Sequence, residues 1–425
     1  MRIIVDAFGG DNAPLEILKG SAMAVQEYGV ELLVTGPEAE IRRVAGENGI
    51  SLDGMTIVDT PDVITMEDEP RSILKEHKGC SMAEGLRRLS AGEGDAFVSA
   101  GSTGALIMGS TFIVKRIKGV PRAALAPLMP GDKGPFMLID SGANVDCRPE
   151  MLLQFGQMGS IYMSRVMGSG REATVGLVNV GTEDSKGGEL QHEAFALLKD
   201  SGLHFVGNIE ARDIPHNAAD VVVADGFTGN VILKMMEGVA EVIMGNLKDI
   251  FMSSLKTKIA ALMIKPGLRM FKKKMDTSEY GGAPLLGVTK PVIKAHGNSN
   301  AKAFKNAIRV AAEFSRAGVI EEIAASAKRR RRTPATEYGR KPGGKERKWT
   351  AVVLQMIRRL CADRYGCEEE DVVLAASLDE LNLTPDELDD MSVALADAYG
   401  VAIPDEALAA FATVEDIVGY IEDRL

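Results

Sequence analysis

A chain of 425 residues exceeds one typical hydrophobic core, so two or three domains are expected. Its hydrophobic and charged fractions, 45% and 26%, are those of an ordinary soluble protein, which excludes a disordered chain; no apolar run is long enough to span a bilayer. Cys80, Cys147, Cys361 and Cys367 have neither metal-ligand nor disulfide-framework spacing, and residues 1–6 read as a buried strand rather than a secretory signal, so a reducing cytoplasm is the expected compartment.

The net charge of -11 is unevenly spread. Residues 349–425 hold 4 Lys+Arg against 18 Asp+Glu, a net of -14, whereas residues 326–348 hold 10 basic and 2 acidic residues, a net of +8. An acidic module therefore sits behind a basic segment.

Residues 1–325 alternate strand-like and helix-like segments. Short apolar or β-branched runs fall at 3–6, 31–35, 56–59, 96–99, 136–140, 173–179 and 221–224, most of them ending in Gly, Asp, Asn or Ser. Helical patterns lie between them, as at 13–28 and 149–167. This alternation predicts an α/β fold with a largely parallel sheet, which binds ligands where strand C-termini meet loops.

Residues 239–275 differ. Val242, Ile243, Leu247, Ile250, Phe251, Leu255, Ile259, Leu262 and Met263 recur at helical spacing, Pro266-Gly267 is expected to break the helix, and Lys272, Lys273 and Lys274 follow. One reading is a helix pair at a subunit interface. The other is an amphipathic hairpin on anionic lipid, with lysines at the headgroups.

Residues 326–348 carry Lys328 and four consecutive arginines, then Pro334, Gly339, Pro342, Gly343 and Gly344. Like-charge repulsion and helix breakers predict a flexible linker. Aromatic interleaving and a recognised nucleic-acid-binding fold are both missing, so no nucleic-acid partner is expected. From residue 349 a helical pattern resumes, with breaks near Gly366, Asn382 and Gly400, a short helix opened by Pro404, and a last helix over 414–421.

Seven glycine- and asparagine-rich loops are spread in order along residues 1–325. They are Gly9-Gly10-Asp11-Asn12, Gly101-Ser102-Thr103-Gly104, Gly142-Ala143-Asn144, Thr182-Glu183-Asp184-Ser185-Lys186-Gly187, Asp225-Gly226-Phe227-Thr228-Gly229-Asn230, Tyr280-Gly281-Gly282 and His296-Gly297-Asn298-Ser299. Together they resemble the bacterial phosphate acyltransferases of phospholipid synthesis (the PlsX family) over essentially all of residues 1–320. The resemblance implies an αβα sandwich related to phosphotransacetylases and isocitrate-dehydrogenase-like folds. It also implies transfer of an acyl group from acyl-[acyl carrier protein] to inorganic phosphate, a homodimer, and peripheral attachment to the inner face of the membrane through 239–275. A membrane acyltransferase would receive the product. Asn12 and Ser102 depart from the family's usual His and Asn; an asparagine cannot act as a general base at neutral pH.

Attack of phosphate on a thioester requires a held dianion, a polarised carbonyl and a stabilised oxyanion, which backbone N–H groups and cations supply. No Ser-His-Asp or Cys-His nucleophile is needed, no metal or other cofactor is implied, and none of the histidines has metal-ligand spacing. The resemblance carries the catalytic role to Lys186. Gly101, Ser102 and Thr103 are candidate phosphate contacts, with Asn144, Asp225 and Asn230 as polar lining and Asn12 and His296 as further site residues. Turn formation is the competing explanation for the Gly, Asn, Asp and Ser among them. Asp6 and Asp11 would hold loops together or orient substrate.

The C-terminal pattern Leu383-Thr384-Pro385-Asp386-Glu387-Leu388, Ile403-Pro404-Asp405-Glu406 and Thr413-Val414-Glu415-Asp416 resembles an acyl-carrier-protein four-helix bundle. In that family a serine opens the second helix and bears phosphopantetheine; here Pro385 stands at that position, so no attachment site is expected. Ser392 lies two turns too late. Thr384, Pro385 and Glu387 form a capping box, and Glu387, Asp389, Asp390 and Asp397 keep the acidic character of a carrier. The rival functions are an acyl-CoA phosphotransacylase and a non-catalytic carrier-like regulator of lipid synthesis. A nicotinamide dehydrogenase is disfavoured, since no dinucleotide fingerprint follows the first strand.

Overall fold

The computed structural model describes the chain apart from residues 169–170, 276–278, 333–349, 366, 368–370, 379, 382, 409 and 425. It divides into two compact units, Met1–Lys118 with Arg122–Ala327, and Gly119–Pro121 with Lys328–Leu425. No helix among the described residues is long and apolar enough to cross a membrane.

The strands of the first unit are β1 (Arg2–Asp6), β2 (Glu31–Gly36), β3 (Met55–Asp59), β4 (Ala96–Ser99), β5 (Ala124–Leu125), β6 (Leu128–Gly131), β7 (Gly134–Ile139), β8 (Val175–Asn179), β9 (Phe205–Glu210), β10 (Val221–Val223), β11 (Ala283–Leu286) and β12 (Val292–Lys294). They form two sheets rather than one, in the orders β3-β2-β1-β4-β12-β11-β5 and β6-β7-β10-β8-β9. The pairing is mainly parallel, with antiparallel contacts at β5, β6 and β11.

Helices cover both faces of each sheet, so central strands are apolar on both sides. Ile3, Ile4 and Val5 of β1 are wholly buried. In the second sheet the two-residue period divides the work. Met137, Ile139 and Val221 meet Gly159 of the Pro149–Val166 helix, while Phe136, Leu138 and Val222 join a core with Ile232, Leu233 and Met236 of the Gly226–Met252 helix. On the first sheet, Gly20 lets the Leu15–Tyr28 helix pass against the Ala301–Arg316 helix; a Cβ there would stand 2.6 Å from the Ala301 carbonyl oxygen.

The apolar 239–275 stretch departs from its predicted shape. The Gly226–Met252 helix is followed by Leu255–Met263 and Lys265–Met275. The chain breaks at Ser253 and Ser254, where the Ser254 hydroxyl accepts from Thr257 N. Pro266 and Gly267 lie inside the next helix, because a proline in a first turn has no N–H to waste. Only Gly226 and Gly229 of the long helix are fully buried, and the Leu255–Met263 helix buries nothing. Leu255, Leu262 and Met263 are 75%, 67% and 79% exposed, so this is an unpartnered apolar surface in the single chain. The side chains of Lys272, Lys273 and Lys274 lie outside the described residues.

The Val319–Arg332 helix carries the first residues of the predicted 326–348 linker, so the basic run begins as helix; residues 333–348 lie outside the described residues. Beyond them come helices Thr350–Arg364, Pro385–Tyr399, Asp405–Leu408 and Val414–Glu422 around Val353, Ile357, Met391, Leu395, Ile417 and Ile421. These are the four helices expected. Thr384 caps the second, its hydroxyl accepting from Glu387 N and donating to Glu387 Oε2, with Pro385 in the first turn. The side chains of Pro385, Asp386 and Asp397 lie outside the described residues.

Candidate active site

β1, β4 and β12 run parallel, so the loops at 7–13, 100–103 and 295–300 open on one edge. β7, β10 and β8 are also parallel and send out the loops at 140–148, 224–230 and 180–188 together. Six of the seven predicted loops leave these strand ends, where α/β folds bind ligands.

The loops after β1 and β4 are tied to Asp6, which is wholly buried at the end of β1. Its carboxylate accepts from the Ser81 hydroxyl at 2.7 Å, the Ser99 hydroxyl at 2.7 Å and Phe8 N at 3.2 Å. Burial raises its pKa, while the hydroxyls, Phe8 N and Lys294 pull it back. Asp11 N donates to Gly297 O at 2.8 Å, and Asn12 Nδ2 donates to Asn298 O at 3.0 Å and Ser299 O at 3.3 Å. Asn12 therefore joins two site loops as a donor, a role open to an amide. A Cβ on Gly101 would stand 2.7 Å from Met82 Cε and 3.2 Å from Ser99 Oγ. Ser102 caps the Thr103–Gly109 helix, accepting from Ala105 N at 3.4 Å, and Thr103 is its first residue.

The loops of the second sheet are tied to Asp140, wholly buried just beyond β7. It accepts from Leu125 N, Ala143 N, Asn144 N and Asn144 Nδ2; burial raises its pKa against those bonds. Asn144 Nδ2 also donates to Ala123 O at 2.8 Å. Asp225 caps the Gly226–Met252 helix, one oxygen accepting from Thr228 N and the other from the Thr228 hydroxyl. The Asn144 N–H groups and the Asp225 carboxylate thus build the turns of this edge. Asn230 is exposed, beside Gly142.

The long helix connects the two groups of loops. His296 Nε2 lies 3.6 Å from Glu237 Oε1, and Lys234 Nζ lies 2.9 Å from Glu237 Oε2. The neighbouring His296 imidazole, joined by the Lys234 ammonium, lowers the Glu237 pKa against its partial burial. Lys186 is exposed in the loop after β8, at the same edge as Asn230. Asn179 Nδ2 holds that loop through Lys186 O at 2.9 Å, and Asn208 Nδ2 holds it through Glu183 O at 2.9 Å.

Sequence reasoning missed Lys294. It is 8% exposed at the end of β12, and its Nζ donates to Ala295 O at 2.6 Å and Ala100 O at 3.3 Å. The signal was present as a lysine in the buried run Val292-Ile293-Lys294-Ala295. Asp140, Lys234 and Glu237 were missed for lack of any motif.

Among the described residues no group of three His, Cys, Asp or Glu could hold a metal. His192 bonds to Ser185 O and His216 pairs with Asp132. Burial pushes the Cys147 thiol up to about 12 and the Cys80 thiol to about 11, so neither is a thiolate nucleophile at neutral pH. The edge offers backbone amides, hydroxyls and cations, which suits anion binding rather than covalent catalysis.

The family model described as "Fatty acid synthesis protein" matches residues 1–322. The phosphate acyltransferase of Clostridium novyi is 47% identical over 324 residues, spanning 76% of this chain and 97% of the relative; that of Clostridium acetobutylicum is 47% identical over the same share of this chain and 98% of its own. Among solved structures, a phosphotransacetylase from Streptococcus pyogenes shares the fold with a TM-score of 0.50 at 18% identity, covering 75% of this chain and 94% of that one. Over residues 1–322 the chain belongs to the fatty acid synthesis protein family of phosphate acyltransferases.

Proposed function

We propose that this chain transfers a fatty acyl group from acyl-[acyl carrier protein] to inorganic phosphate, releasing acyl-phosphate for phospholipid synthesis. The observation that carries this reading is the gathering of six Gly/Asn-rich loops at the C-terminal edges of the two sheets, in a chain 47% identical to named phosphate acyltransferases. A phosphate oxygen attacks the thioester carbonyl; the tetrahedral oxyanion collapses, the C–S bond breaks, and the thiolate leaves on the carrier's pantetheine arm. Phosphate is a competent nucleophile and the thiolate a good leaving group, so positioning and charge stabilisation are the main requirements. Lys186 supplies a cation to phosphate or the oxyanion, and Gly101, Ser102, Thr103, Asn230 and His296 line the approach. The reaction calls for no metal or cofactor.

The C-terminal unit is a carrier-like module without an attachment serine, so the acyl group arrives on a separate carrier. Its acidic second helix supports a recognition role. The apolar 239–275 surface supports assembly as a homodimer and contact with anionic membrane on the cytoplasmic side. Initial rates of acyl-phosphate formation with the same acyl chain on carrier protein and on coenzyme A test the reading. Preference for the carrier supports it, and preference for coenzyme A favours a phosphotransacylase of small thioesters instead.

A further inference from the structure

Lys294 has no part in the reading above, yet it sits where the first three loops meet. A buried lysine is costly, and a methionine would fill similar space without desolvating a charge. Its two acceptors explain its place. The Ala100 carbonyl belongs to the same peptide as Gly101 N–H, and Gly101 N donates to Ser99 Oγ at 3.0 Å. Ser99 Oγ in turn donates to Asp6 Oδ2 at 2.7 Å. A polarised chain thus runs from the Lys294 ammonium through the Ala100-Gly101 peptide and the Ser99 hydroxyl to the Asp6 carboxylate, with opposite charges at its ends. The second acceptor, Ala295 O, belongs to the peptide whose N–H is that of His296. One ammonium therefore fixes the peptide planes that open both the 101–104 and the 296–299 turns.

We propose that Lys294 is a positioning residue for phosphate: its ammonium sets the two turns that flank the anion, and its charge favours the anion's binding. This rests on the functional reading above. The charged groups facing Lys294 are Asp6 at the end of β1, Asp11 in the following loop and Lys234 on the Gly226–Met252 helix. Burial, and then Lys234, bring its pKa down to about 8, with Asp11 and Asp6 opposing. The ammonium is thus present at neutral pH and lost as pH rises through that value; the amine that remains makes weaker, uncharged bonds.

The test compares the full chain with Lys294→Met and Lys294→Arg by kcat and KM for phosphate between pH 6.5 and 9.5, and by the rise in melting temperature that inorganic phosphate induces. The wild-type KM for phosphate should climb about tenfold over the alkaline limb, the size of one lost charge-assisted bond. Lys294→Met should begin at the high KM and stay flat, with kcat less affected; Lys294→Arg should keep the low KM beyond pH 9. A wild-type-like KM and alkaline limb in Lys294→Met overturns the role. Should Lys294→Met fail to fold, an unshifted limb in Lys294→Arg overturns it equally. Absence of acyl-phosphate from the wild type, with phosphate still raising its melting temperature but not that of Lys294→Met, rejects the proposed reaction and upholds the role of Lys294. Equal phosphate stabilisation of both proteins rejects the role.

Discussion

The Gly229 Cα lies against the Asp140 carbonyl with no space for a Cβ between them. This contact seats the start of the Gly226–Met252 helix on the loop after β7. Gly229→Ala should push the two apart, destabilising the large unit by about 3 kcal/mol and reducing turnover. Gly238→Ala, on the same helix with open space where its Cβ would stand, should be neutral or stabilising by about 0.5–1 kcal/mol. Thermal melts of both variants check the pair; equal effects would contradict the close approach.

Acid sensitivity follows from Asp220. Burial raises its carboxyl, but the paired Arg171 guanidinium and the Thr174 N–H and hydroxyl outweigh it, leaving the pKa below the ordinary 3.8. A depressed carboxyl contributes stability above its unfolded value and loses it as pH falls through the folded one. Arg171 is more than half exposed, so Asp220→Asn should cost only about 1 kcal/mol between pH 5 and 7. The difference should close below pH 3.8; a constant difference down to pH 2.5 would contradict this.

Strand by strand, the sequence was readable where burial is simple. β1, β4 and β10 each hold a short run of three buried apolar residues and stood out. β6, β9 and β11 did not, because Pro130-Gly131, Gly207-Asn208 and Pro284 interrupt their runs; Gly207 has φ +96°. Splitting into two sheets is a long-range property that no local pattern carries. In the site, loop positions were legible from their glycines, but roles were not. Asn144 and Asp225 carry the residue types of a binding site and also bond Asp140 and Thr228 within their own turns. Lys294 lacks a glycine-rich neighbourhood on its own strand, so only the fold brings it to Ala100.

The exposed Leu255–Met263 face should bind lipid. Replacing Leu255, Leu262 and Met263 by serine should weaken binding to vesicles containing anionic lipid by at least about tenfold, from the apolar area withdrawn. Acyl transfer between soluble substrates should persist. If vesicle binding is unchanged while a dimer dissociates in sedimentation, the face is a subunit interface instead.

For the C-terminal unit, truncation after Arg332 keeps the Val319–Arg332 helix whole and removes the four C-terminal helices. A module that competes with the carrier substrate should lower the apparent KM for acyl-carrier protein when removed. An unchanged or higher KM would exclude competition. Thr384→Ala should lose about 1 kcal/mol of helix capping, seen as faster amide exchange in the first turn of Pro385–Tyr399. Unaltered exchange there would contradict the cap.

The most direct measurement is acyl-phosphate formation from acyl-[acyl carrier protein] and inorganic phosphate by the full chain and by Lys186→Ala at equal folded concentration. Acyl transfer to phosphate predicts acyl-phosphate from the wild type and a fall in kcat of at least about a hundredfold in the variant. No acyl-phosphate from the folded wild type would contradict the function, and near-normal turnover in Lys186→Ala would remove that lysine from the chemistry.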